Sequence, residues 1–116
     1  MTRPSPASSA EVSHGACDAA LVRAFEFLGK RWSGVILATL GLGDAGFTEL
    51  RRSIDGIGDS VLAGRLSELH DAGLVTRTVR EGPPVSVTYG LADAGRALLP
   101  ALFELSAWAS ANLPVR

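Results

Sequence analysis

The sequence has no apolar run long enough to cross a membrane. Its longest, Val35-Ile36-Leu37-Ala38, continues only through Thr39 to Leu40, whereas a spanning helix needs about 20 mostly apolar residues. It has one cysteine, Cys17, which excludes an internal disulfide framework and points to a reducing, cytoplasmic setting. Its two histidines, His14 and His70, make with Cys17 a poor metal set, so neither a metal nor a cofactor is expected. It lacks a Gly-rich phosphate loop and any recognisable catalytic constellation, which argues against an enzyme. The opening residues, MTRPSPASSAEVSHG, lack the apolar block of a secretory signal, and residues 1–16 read as a flexible tail.

An excess of charge is also missing. Eleven basic and twelve acidic side chains leave a formal −1, so nothing global announces a nucleic-acid partner. Between residues 47 and 82 five arginines (51, 52, 65, 77, 80) face six acids (49, 55, 59, 68, 71, 81). A basic surface there requires segregation of charge in three dimensions, or two modest patches joined by dimerisation.

The 116 residues suit one domain, placed at residues 17–113, and the apolar fraction of 47% argues against general disorder. Asp18 is a plausible N-cap for a helix from Ala19 to Leu28, with Leu21, Val22, Phe25 and Leu28 on one face and Gly29 as its stop. A second helix is expected over Trp32 to Leu40, ended by the glycines of GLGDAG. In FTELRRSI, Thr48 can cap a short helix that points Leu50 and Ile54 inward and Arg51 and Arg52 outward.

The stretch GIGDSVLAGRLSELHDAGLV, residues 56–75, reads as a fourth helix, with Asp59 or Gly58 at its N-cap. Leu66 and Leu69 lie within about 40° of Leu62 on a helical wheel, and Ser60, Gly64, Ser67 and Asp71 fall nearly opposite. Val61, Arg65 and Glu68 flank that outward side, and Gly73 ends the helix. LVTRTVRE and VSVTYGL follow as two β-prone runs joined by Gly82-Pro83-Pro84. In the second run Val85, Val87, Tyr89 and Leu91 alternate with Ser86, Thr88 and Gly90, the pattern of a half-buried strand. A long helix from Asp93 to about Asn112 closes the chain, its apolar side formed by Leu98, Leu99, Leu102, Leu105 and Trp108, with Pro100 expected to kink it.

The order of helices, hairpin and long helix is that of a winged helix-turn-helix: an α+β, mainly helical fold with a two-stranded wing and a long C-terminal dimerisation helix. Such a fold places its reading helix in a DNA major groove and its wing beside it.

The residues carry a family resemblance as well. Gly29-Lys30-Arg31-Trp32, Phe47-Thr48-Glu49-Leu50-Arg51-Arg52, Gly56-Ile57, Leu66-Ser67-Glu68-Leu69 and Ala72-Gly73-Leu74-Val75 come in order. Pro83-Pro84-Val85, Tyr89-Gly90-Leu91, Ala94-Gly95-Arg96 and Trp108 follow. Together, over about residues 17 to 110, they resemble the HxlR-type regulators, a MarR-related group of bacterial winged-helix transcription factors. The resemblance implies a homodimer on a palindromic double-stranded DNA operator. It implies dimer contacts from the first and last helices, here Leu21, Phe25, Leu102, Leu105 and Trp108. The recognition helix would run from Asp59 to Ala72 and the wing from Arg77 to Val87. Where many relatives carry longer polar or basic residues, this chain has Ser60, Ala63 and Gly64, leaving more of the readout to Arg65, the wing and DNA shape. At Ala92, relatives usually have a capping Thr.

Each candidate also has a plain structural reading. Arg65 either meets a base edge or phosphate, or pairs with Glu68 or a neighbouring acid. Arg51 and Arg52 either touch phosphates or form a solvated face, and Arg77 and Arg80 either touch the backbone or pair with Glu81 across the wing. Lys30 and Arg31 either cap carbonyls or reach DNA. Asp59, Ser60 and Gly64 complete the expected DNA-facing set. In several relatives a cysteine at the place of Cys17 senses oxidants or electrophiles; the alternative is packing at the dimer seam. An effector is therefore either an oxidant at Cys17 or a small molecule in an interface pocket lined by Trp32, Trp108, Phe25, Phe27 and Phe103. No membrane partner is expected. The rival to a repressor is a winged-helix module used for protein–protein or small-molecule binding.

Overall fold

The computed structural model describes residues 19–115; the expected tail, Cys17 and the Asp18 cap lie outside the described residues. The chain divides into two compact units at Arg31/Trp32. In the first, residues 19–28 are helical (α1), and the turn after it closes with the Gly29 N–H donating to the Phe25 carbonyl at 3.0 Å. Leu21, Val22 and Phe25 are all more than half exposed on this helix.

The second unit begins with α2, Ser33–Leu40, one residue later than expected because Trp32 itself is the N-cap. Ile36, Leu37 and Leu40 are buried from it. In α3, Phe47–Ser53, the cap is Gly46 rather than Thr48. The Glu49 carboxylate decides this, accepting the Gly46 N–H at 2.9 Å, which satisfies one donor that a helix start leaves open. Leu50 and Ile54 are buried, as their spacing requires, while Arg51 and Arg52 are exposed.

Of the two capping candidates for α4, Asp59–Asp71, Gly58 holds the N-cap and Asp59 the first turn, where its charge complements the helix dipole. Leu62, Leu66 and Leu69 are almost fully buried. The helix ends in a Schellman arrangement: Gly73, at φ +81°, donates to the His70 carbonyl at 3.0 Å, and Leu74 donates to that of Leu69 at 2.9 Å. Glycine is needed there because a side chain at that φ is strained.

The wing is an antiparallel pair, β1 (Val75–Arg80) and β2 (Ser86–Leu91), in a register that sets Val75 against Leu91, Arg77 against Tyr89 and Arg80 against Ser86. Val85, expected in the second strand, lies in the connection and is exposed. The sheet also has an element that alternation alone does not reveal. Ala45 bridges Tyr89, with N–H···O bonds of 2.8 and 3.0 Å, on the side of β2 away from β1. This contact brings Asp44 over Gly90, where a Cβ would stand 2.5 Å from the carboxylate oxygen. Gly90 is consequently buried, against the expected outward position.

The last helix, α5, Asp93–Asn112, starts at Ala92 without a side-chain cap and continues through Pro100. The Ala92 N–H ties the start of the helix to the Leu74 carbonyl, and the Arg96 N–H makes the first helical bond to the carbonyl of Ala92. Gly95 packs so tightly on the Leu74 carbonyl that a Cβ would overlap it.

Candidate nucleic-acid interface

Two elements that pack against α4 carry the arginines singled out above. From α3, Arg51 reaches the first turn of α4 and meets Asp59, Nε to Oδ1, at 3.1 Å. The pair is largely exposed, so its worth in stability is about 0–1 kcal/mol. Its geometric effect is larger, because a guanidinium held through Nε keeps both terminal nitrogens for another acceptor. Arg52, beside it, is exposed and makes no ion pair among the described residues.

On α4 the outward side is short. Ser60, Ala63 and Ser67 are exposed, and the position a Cβ would take on Gly64 has nothing within 4 Å. No long side chain rises from the middle of this face. Arg65 stands on its flank, beside the leucine stripe, and is only a quarter exposed; its Nη1 donates to Glu68 Oε1 at 3.0 Å. Its Nε is buried without a partner among the described residues. The intramolecular pairing with Glu68 is therefore present in the free chain, so Glu68 competes with any DNA acceptor for Nη1 of Arg65.

Arg77 and Arg80 are exposed on β1. Pairing with Glu81 is absent among the described residues, since the register puts Tyr89 and Ser86 opposite them. Arg77 instead lines a cleft of about 140 Å³ at the joint of α4 and the wing, together with Ala63, Leu66, Ser67, His70 and Tyr89. In the sequence His70 stands alone on a helix flank. The structure gathers it with Ser67, one turn earlier, and with Arg77 and Tyr89, a cross-strand pair. The i, i+3 spacing of Ser67 and His70 is visible in the sequence, but the docking of the hairpin on α4 is not.

The residues expected at a dimer contact divide by exposure. Leu21 and Phe25 are exposed on α1; on α5 Leu105 and Trp108 are 49% and 53% exposed, with Phe103 at 57% and Leu102 half-buried. Among the described residues, no group of three or more His, Cys, Asp or Glu side chains comes together to hold a metal, and no helix is long and apolar enough to cross a membrane.

Comparison with known proteins gives a consistent result. The family model for HxlR-like helix-turn-helix proteins matches residues 27–116. The HTH-type transcriptional regulator YodB of Bacillus subtilis (strain 168) is 42% identical over 86 residues, 74% of this chain and 77% of that one. The solved structure of the reduced form of YodB superposes with a TM-score of 0.73 at 38% identity, covering 81% of this chain and 92% of that one. The redox regulator HypR in its oxidised form gives a TM-score of 0.76 at 29% identity, covering 83% and 99%.

Proposed function

Because this chain is a helix-turn-helix transcriptional regulator belonging to the HxlR-like family, we propose that it is a cytoplasmic, sequence-specific repressor that binds a palindromic operator as a homodimer. One observation carries the reading. The face of α4 opposite its leucines is polar, short and open to solvent, and arginines stand on α3 and on the wing, two of the elements packed against that helix. A helix of this kind fits the floor of a major groove closely, with Ser60 as an adaptable donor and acceptor and Gly64 letting the backbone approach the bases. Arg51, Arg52, Arg77 and Arg80 supply phosphate contacts, which fix register without reading sequence.

Two apolar surfaces are offered to a second subunit, Leu21 with Phe25 on α1 and, on α5, Leu105 with Trp108, flanked by Leu102. A two-fold dimer then presents its reading helices to half-sites about 34–36 Å apart. We further propose that Cys17 makes the regulator responsive to oxidants or electrophiles. A single cysteine per chain offers alkylation, a mixed disulfide with a small thiol, or one bond between subunits, in which two thiols give two electrons and two protons to the oxidant.

The test is selection of an operator from random duplexes, followed by titration of the wild type and Cys17→Ser at two salt concentrations with and without a thiol oxidant. Salt-sensitive binding that oxidant abolishes only in the wild type is the expected outcome. Oxidant-indifferent binding by both removes Cys17 as the switch. A folded dimer with no affinity for DNA at low salt assigns the module to protein or small-molecule binding instead.

A further inference from the structure

We propose that the cleft between α4 and the wing is the seat of one phosphodiester group of the DNA backbone, held by Ser67, His70, Arg77 and Tyr89. The assignment rests on the DNA-binding reading above and gives it a specific anchor. A duplex groove is bounded by its two phosphodiester strands. A helix in the major groove and a wing over the neighbouring minor groove are therefore separated by one strand, which has to cross the joint between them. The cleft lies at that joint, since its lining comes from α4, β1 and β2 alone.

Its chemistry suits a tetrahedral anion. Arg77 brings a permanent positive charge with several N–H donors and has no ion-pair partner among the described residues. Ser67 and Tyr89 bring hydroxyl donors. His70 brings an imidazole whose Nδ1 faces Asp71 Oδ1 at 3.7 Å, leaving Nε2 as the second ring donor when the ring is protonated. The apolar floor, Ala63 and Leu66, lowers the local polarity and strengthens the charge-assisted bonds. The charged and titratable groups around His70 are Asp71 on its own helix and, across the cleft, Arg77 from β1 and Tyr89 from β2.

The experiment is a duplex titration by fluorescence anisotropy across salt concentrations. For Arg77→Gln the slope of log K against log salt falls by about one, and affinity drops roughly five- to ten-fold near 0.1 M salt on every duplex sequence. Arg77→Lys restores the slope. His70→Gln weakens binding to every duplex alike, by less than Arg77→Gln does. An unchanged slope in Arg77→Gln, or a His70→Gln variant that binds every duplex as the wild type does, overturns the phosphate seat while leaving DNA binding intact. A second arm adds inorganic phosphate without DNA and follows the His70 ring by NMR. A wild type that binds no duplex, with a His70 ring that responds to inorganic phosphate, marks a free anion as the occupant and overturns both the backbone assignment and the reading it rests on.

Discussion

Helices α4 and α5 are both rich in leucine and bury it to very different extents. α4 sinks Leu62, Leu66 and Leu69 almost completely, and apart from Val61 what it shows to solvent is small or polar. α5, although 20 residues long, buries only Gly95 and Leu99 and leaves Phe103, Leu105 and Trp108 about half exposed. A polar face is stable in water and needs no cover. An apolar face of large side chains is the kind of surface that a second polypeptide covers. On the proposed function, the same contrast separates reading from assembly: α4 would meet DNA through its short face, and α5 a second subunit through its apolar one.

The largest expected effect tests that contrast directly. Leu62→Ala removes a fully buried side chain and should cost about 2–5 kcal/mol in denaturant unfolding. Trp108→Ala should act elsewhere, loosening self-association by about 2 kcal/mol, roughly 30-fold in Kd. Sedimentation over a dilution series reads the second effect. A monomeric wild type, or a Trp108→Ala variant that associates as well as the wild type, would break the assignment of α5 to assembly.

The glycines of the two helices sharpen the comparison. Gly95 of α5 is pinned from within: a Cβ there meets the Leu74 carbonyl and stands 3.2 Å from a Leu91 methyl. Gly95→Ala should therefore destabilise the fold by about 1–3 kcal/mol, in spite of alanine's better helix propensity. Gly64 of α4 has no neighbour within 4 Å of its Cβ position. Gly64→Ala should raise stability by about 1 kcal/mol, because glycine in a helix interior costs that much relative to alanine. If α4 lies close against the floor of a groove, the same substitution weakens operator binding while thermal unfolding shows a gain. A stabilised variant with unchanged affinity would mean that the helix does not approach DNA at Gly64.

Much of this was legible in the sequence because burial is periodic. The leucines of α4, the inward Leu50 and Ile54, the glycine after α4 and the two strands all follow from spacing or from single-residue backbone preference. The α3 cap was legible too, since Glu49 stands three residues after Gly46, but Thr48 drew the assignment to itself. What spacing does not encode is convergence. Ala45 pairing with Tyr89, Asp44 covering Gly90, and Ser67 and His70 meeting Arg77 and Tyr89 all depend on how the hairpin docks. The sequence offered Glu68 or a neighbouring acid to Arg65 and no acid at all to Arg51; only side-chain packing selects Glu68 for the first and Asp59 for the second.

That last selection carries the smallest and most discriminating expectation. Arg65 and Glu68, at i and i+3 and joined at 3.0 Å, are worth a few tenths of a kcal/mol as a surface pair. Glu68→Gln should thus leave the unfolding midpoint nearly unchanged. Its effect on DNA separates the two roles of Arg65. If the guanidinium leaves Glu68 to read a base, Glu68→Gln tightens binding, because no carboxylate competes with the DNA. Arg65→Ala then costs about 1–3 kcal/mol of specific affinity in the wild-type background and more in the Glu68→Gln background. If Arg65 stays on the flank of α4, with its Nε buried beside the leucines, Arg65→Ala lowers stability instead. Its effect on DNA affinity is then the same in both backgrounds and on every sequence. The sign of the coupling between these two substitutions decides whether α4 reads its operator with one long side chain or with short ones alone.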